Sequence, residues 1–136
     1  MLDFKPINIK SAARLRKYYS HCTYRLSEYS LGVKLMWRSY WHSQWAETNG
    51  CLVVLNQTKD RGPVFDFPIP LPGIGDVDAA LNAIDAWCIA HGVAPAFSAI
   101  PESEKAALID RYPYTRVDSG RVWQDYLYRA EDLSSF

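Results

Sequence analysis

The sequence is poor in cysteine, and Cys22, Cys51 and Cys88 stand far apart with no CxxC among them. An odd number at such spacing argues against a disulfide framework or a thiolate zinc site, and free thiols in a reducing cytosol are the simpler expectation. Net charge is also missing, because 15 basic residues cancel 15 acidic ones. No overall field then draws nucleic acid or an anionic membrane, no run of Lys and Arg supplies a local one, and direct binding to either is not expected. There is no apolar run long enough to span a bilayer, and the opening MLDFKPINIK has no signal-peptide core. These absences imply a soluble cytoplasmic protein. His21, His42 and His91 lack ligand spacing, so no metal site is implied. A nucleophile elbow is absent as well, which removes the usual frame for a Ser/His/Asp triad. Without repeats, linkers or low-complexity segments, 136 residues read as one domain.

What is present is apolar: 49% of the chain is hydrophobic and 14% aromatic, enough for a core without metals or disulfides. DFKPI reads as a short strand with Pro6 at an edge. Asn8 caps a helix in which Ala12, Leu15, Tyr19 and Cys22 recur opposite Arg14, Arg16 and Lys17. Ser27 caps a second helix through EYSLGVKLMWRSYW, apolar over much of its circumference and therefore expected to be buried. Trp37, Tyr40 and Trp41 share its face, and Trp45 falls in the next strand. Core is the favoured reading of these aromatics, above a stacking platform or a partner surface.

QWAET and CLVVLNQT flank Asn49-Gly50, the strongest short hairpin signal. VFDFPIPL is a third strand whose prolines make it end, splay or lie at an edge. DVDAALNAIDAWCIAHG is a helix capped by Asp76 or Asp78, with a stripe of Val77, Leu81, Ile84 and Cys88 and Gly92 at its end. PAFSAI is a buried strand, and PESEKAALIDRYP a short helix between Pro101 and Pro113. YTRVDSG and VWQDYLY are two closing strands. This order specifies a mixed α/β (α+β) domain, a mostly antiparallel sheet flanked by helices.

The order of elements resembles the GNAT acyltransferase fold. The stretches LDFKPINIK, CTYRLSEYSLGVKLMWRSYW and DYLYRAEDLSSF are similar, more narrowly, to the first half of a bacterial family related to the C-terminal domain of phosphatidylglycerol lysyltransferase. In that family the closing D-Y-x-Y strand and E-D-L segment lead into a basic segment and a second GNAT-like domain. The resemblance implies that residues 1–136 are a single GNAT-like domain, the N-terminal half of a longer two-domain protein. This half would be non-catalytic, its partner would be the second GNAT-like domain, and the whole would be an acyl- or aminoacyltransferase-like protein. The isolated half is expected to self-associate, because Trp123, Tyr126, Leu127 and Tyr128 place large apolar groups on both faces of the last strand, which would leave one face or edge unprotected and an apolar patch from Tyr126 to Phe136. Two other readings remain: an acyl-CoA-dependent N-acyltransferase in its own right, and a small binding or dimerisation module that uses exposed aromatics.

GNAT domains that bind acetyl-CoA carry an R/Q-x-x-G-x-G/A loop, whose backbone amides meet pyrophosphate at a helix N-terminus. Here the nearest match is PIPLPGIGDVD. Pro70 stands where Arg or Gln belongs, Pro72 removes a donor, and Asp76 and Asp78 put negative charge where the anion would sit. Turn plus N-cap is the preferred reading, and no cofactor is assigned. Candidate catalytic residues are Asp66 as a general base, and Tyr126 or Tyr128 as a general acid. Against these stand an outward-facing Asp66 between two inward phenylalanines, and a structural tyrosine pair. Arg38, beside buried aromatics, seeks a carboxylate or backbone carbonyls, with an anionic substrate as the other partner considered.

Overall fold

The computed structural model describes residues 2–24, 29–58, 62–98, 100–112, 115–119 and 125–129. Its elements run β1 (Lys5–Pro6), α1 (Ala12–Tyr19), α2 (Leu31–Trp41), β2 (Gln44–Thr48), β3 (Cys51–Thr58), β4 (Gly62–Asp66) and β5 (Ile69–Pro70). Then follow α3 (Val77–His91), β6 (Phe97–Ser98), α4 (Lys105–Arg111), β7 (Thr115–Ser119) and β8 (Asp125–Arg129). One sheet contains all the strands in the order β1-β2-β3-β4-β6-β8-β7, with β5 paired to β3. Every pairing is antiparallel except β4 with β6, which run parallel through Phe65 opposite Phe97 and Asp66 opposite Ser98. This is the mixed, mostly antiparallel sheet flanked by helices that the sequence implies.

Local chemistry explains most boundaries. Asn8 and Ser11 form a reciprocal capping box at the 3-10 turn that leads into α1. Thr48 faces Cys51 across a two-residue loop, and both Asn49 (φ 52) and Gly50 (φ 72) hold the left-handed backbone such a hairpin demands. Pro68 follows directly on the break after β4, so VFDFPIPL divides into β4 and the two-residue β5. Asp76 caps α3 by accepting from the Ala79 amide, and Gly92 ends it with φ 67.

The helices divide between the two faces of the sheet. Tyr18 of α1 donates to Glu47 of β2, and Lys34 of α2 pairs with Asp66 of β4. On the other face, Trp87 of α3 packs edge-on against Phe65, while Tyr112, next to α4, packs against Phe97 and donates to Asp85 of α3. The core holds Leu15, Val53, Leu55, Phe65, Ile84 and Phe97, all buried.

Three expectations change. The aromatic helix is not core: Met36 is 71% exposed, Trp37 48% and Tyr40 68%, whereas Lys34 is the buried residue of α2. Trp41 is half-buried and Trp45 is buried. In α1 the deepest aromatic is Tyr18, with Tyr19 half-buried, because Tyr18 reaches Glu47 on the sheet. The last strand in sequence is not the last in space: β8 sits between β6 and β7 with both edges paired, so the unprotected edge expected there is absent. The expected cap at Ser27 and the apolar patch expected towards Phe136 lie outside the described side chains.

Candidate functional site: a split in the sheet and its polar lining

β4 and β6 are parallel neighbours whose onward connections leave in opposite directions. From β4 the chain folds back to β5 beside β3, whereas from β6 it moves on to α4 and the β7–β8 pair. In open α/β sheets ligands sit at the carboxyl ends of strands where the connections reverse in this way. Asp66 and Ser98 are the last paired residues before the split, and both are buried.

A chain of polar side chains crosses the sheet to this point on the α1–α2 face. Ser43 donates to Asn56 Oδ1 at 2.7 Å, and Asn56 Nδ2 donates to Asp66 Oδ1 at 3.1 Å. The ammonium of Lys34, only 8% exposed, pairs with the other carboxylate oxygen of Asp66, itself 2% exposed. Lys34 therefore ties α2 to the sheet. A carboxylate taken out of water needs such a partner, since an isolated buried charge is very unfavourable. Burial, and secondarily the Asp66 charge, drives the phenol pKa values of Tyr19 and Tyr29 well above the ordinary tyrosine value. Both remain neutral hydroxyls near the carboxylate.

The backbone just beyond the split is closed by the chain itself. The Phe67 amide donates to Tyr29 Oη at 3.0 Å, and Tyr24 Oη donates to the Pro68 carbonyl at 2.8 Å. Tyr24 packs edge-on against both Tyr29 and Phe67. The amide and carbonyl that β4 releases on leaving the ladder are thus taken by two tyrosines that flank the α1–α2 connection.

The start of α3 is closed in the same manner. The Ile74 and Gly75 amides donate to the Leu71 carbonyl at 3.2 and 2.9 Å, and the Asp76 amide to the Asn49 carbonyl at 2.9 Å. The Ala79 amide is held by Asp76 at 3.1 Å. The two glycines serve the backbone turn and the packing against Pro70 respectively. Gly73 takes a positive φ in the turn, and a Cβ on Gly75 would lie 2.4 Å from Pro70 Cβ. PIPLPGIGDVD is therefore a turn followed by an N-cap, with the Ile74, Gly75 and Asp76 amides engaged by backbone carbonyls.

The structure distributes the residues singled out in the sequence as follows. Asp66 points to the α1–α2 face and is buried against Lys34, not outward, because that face is covered by α2. Tyr126 of β8 stands opposite Ser98, so Asp66, Ser98 and Tyr126 occupy one rung across three strands. Tyr128 stands opposite Arg116, away from that rung. Arg38 is half-buried and donates to the Leu35 carbonyl of its own helix, the backbone-carbonyl partner foreseen for it. Lys34, Asn56 and Ser43 escaped the sequence reading. A lone lysine inside LGVKLMW was their one visible signal. Among the described residues no group of His, Cys, Asp and Glu is placed to hold a metal, and no described helix is long and apolar enough to cross a membrane.

No protein-family model matches the sequence, and no curated protein does. Solved structures do resemble it. A conserved protein of unknown function from Bacteroides thetaiotaomicron superposes with a TM-score of 0.74 at 18% identity, over 88% of this chain. The match spans 40% of that longer chain. The PaiA N-acetyltransferase of Thermoplasma acidophilum, solved with coenzyme A, superposes with a TM-score of 0.51 at 8% identity, over 95% of this chain and 98% of its own. At such identities the likeness concerns the fold, and with the strand order above it gives this chain a GNAT-like acyltransferase fold.

Proposed function

We propose that the chain is a GNAT-like unit that does not hold an acyl donor by itself and supports a second GNAT-like unit of the same acyl- or aminoacyltransferase-like protein. One observation carries this reading: the two places where the fold would receive coenzyme A are filled by the chain's own groups. Tyr24 and Tyr29 take the backbone of β4 beyond the split, and the Leu71 and Asn49 carbonyls take the amides before α3. A pyrophosphate at α3 would also meet the carboxylates of Asp76 and Asp78. The span of the match on the Bacteroides protein, 40% of its length, agrees with a unit that works beside further polypeptide. In this reading Asp66 joins α2 to the sheet instead of abstracting a proton, because Lys34 and Asn56 already engage its oxygens.

A second reading, an acyl-CoA-dependent N-acyltransferase in its own right, is favoured by the PaiA likeness and by the rung that joins Asp66 to Tyr126. It assigns proton transfer to these two residues. Calorimetric titration with acetyl-CoA separates the readings. The first expects no saturable heat at micromolar concentration. Saturable micromolar binding to the wild-type chain would overturn it and promote the second.

A further inference from the structure

Helix α2 meets the core through Leu31, Lys34 and Leu35 and holds a second apolar group outward. Its buried residue is Lys34, and the opposite side carries Met36 and Tyr40, four residues apart, with Trp37 beside them. Trp37 and Tyr40 pack edge-on at 5.9 Å, and Tyr40 meets Trp41 at 4.7 Å, so the exposed groups form one patch. An apolar patch held outward on a regular helix marks a surface that another apolar medium covers.

Charge is segregated in the same way, which the neutral total conceals. Neither α1 nor α2 contains Asp or Glu, and the same layer exposes Lys10, Arg16 and Lys17. Glu47, the carboxylate beneath α1, is engaged by Arg14 and Tyr18. On the opposite layer stand Asp78, Asp85, Glu102, Glu104 and Asp110. Among the described residues the α1–α2 layer is thus basic and aromatic, and the opposite layer keeps an acidic excess although Lys105 pairs with Glu102 and Arg111 with Asp85.

We propose that the α1–α2 layer is a peripheral docking surface for an anionic lipid bilayer, with Met36, Trp37 and Tyr40 entering the headgroup region and Lys10, Arg16 and Lys17 meeting the phosphates. Lipid suits the surface better than the other anionic partners. Single-stranded nucleic acid is gripped in a groove with free ring faces. Here the rings stand on a helix and are engaged edge-on with one another, and Met36 offers no ring. A second copy docked through the same face would bring Arg16 and Lys17 towards their own equivalents. A bilayer accepts Trp and Tyr at its interface and rewards cations close to its surface.

Flotation with vesicles tests the proposal at low ionic strength. The chain partitions into phosphatidylcholine–phosphatidylserine vesicles at least about tenfold more strongly than into phosphatidylcholine alone, and salt weakens the binding. Met36→Ser with Tyr40→Ser lowers partition into both vesicle types, while Arg16→Glu with Lys17→Glu removes the preference for the anionic ones. Circular dichroism confirms that each variant is folded, and if the serine pair unfolds, the charge-reversal pair on α1 decides alone. Absence of binding, equal partition into both vesicle types, or charge-reversed protein that binds like the wild type would overturn it. So would tight binding to a single-stranded oligonucleotide with none to vesicles, or a salt-resistant dimer that buries Trp37.

Discussion

Helix α3 buries Leu81, Ile84, Trp87 and Cys88 and leaves Asp78 and Asn82 exposed. Helix α2 buries Lys34 and leaves Met36, Trp37 and Tyr40 exposed. Both helices pack apolar residues on the core, Leu31 and Leu35 in α2, but α2 places a lysine at the centre of that contact and keeps a second apolar group outside. The sheet beneath makes the difference. Under α3 it offers Phe65 and Phe97, with Phe4 alongside, and an apolar stripe fits them. Under α2 it offers Asp66 and Asn56, and a buried carboxylate demands a cation. Two costs oppose each other. Breaking a buried ion pair costs about 3–5 kcal/mol, while each large apolar side chain left in water forgoes roughly 1.5–3 kcal/mol. An orientation that expensive is better explained if something covers α2 from outside.

The comparison is broken most forcefully at its polar centre. Lys34→Met should lower stability by about 3–5 kcal/mol, because it strands the Asp66 carboxylate. Lys34→Met with Asp66→Leu should recover part of the loss, since an apolar pair replaces a buried ion pair at little cost while the Asn56 amide loses its acceptor. Urea denaturation of the three proteins checks both statements. If the double variant is no better than the single one, the pairing does not explain how α2 faces the sheet.

Trp87 and Trp37 sharpen the contrast. Trp87→Ala should cost about 3–5 kcal/mol, as a truncation inside an aromatic cluster. Trp37→Ala should cost less than about 1 kcal/mol, as a surface change. Equal losses by thermal denaturation would place α2 back in the core. Asp76→Ala follows with a loss of about 1 kcal/mol, from the missing cap on α3. No such loss is expected for Ser30→Ala, since Ser30 makes no side-chain cap on α2.

The smallest effect concerns Glu47, which anchors α1. Burial raises its pKa, but hydrogen bonds from Arg14 and Tyr18 and the Arg14 charge together outweigh that and leave it below the usual glutamate value. A depressed carboxylate stabilises the fold above its unfolded pKa, and this contribution disappears as pH falls through the folded value. Below about pH 4.3, wild-type protein should therefore lose stability more steeply than Glu47→Gln. Parallel stability curves in acid would show that this pair adds nothing.

The element order was legible in the sequence because its signals are local. Asn49-Gly50 sets a hairpin, Asp76 and Gly92 bracket α3, and the prolines after Phe67 divide a strand. Strand pairing beyond the Asn49-Gly50 hairpin was not legible, nor was the position of β8 inside the sheet. The facing of α2 was not legible. Periodicity shows that Met36, Trp37 and Tyr40 lie together, but not which side of the helix meets the sheet. That depends on Asp66, which is 32 positions after Lys34 and reads as an ordinary outward strand residue. The closure of the split was hidden for a similar reason: Tyr24 and Tyr29 reach Pro68 and Phe67 through contacts that no local pattern announces.

Hydroxyl-radical footprinting of the folded chain, read by mass spectrometry, tests the outward facing of the α2 aromatics most directly. Met36, Trp37 and Tyr40 should oxidise quickly, and Trp45 and Trp87 should be protected until the protein unfolds. Protection of Trp37 and Tyr40 in the free chain to the level of Trp87 would contradict the account.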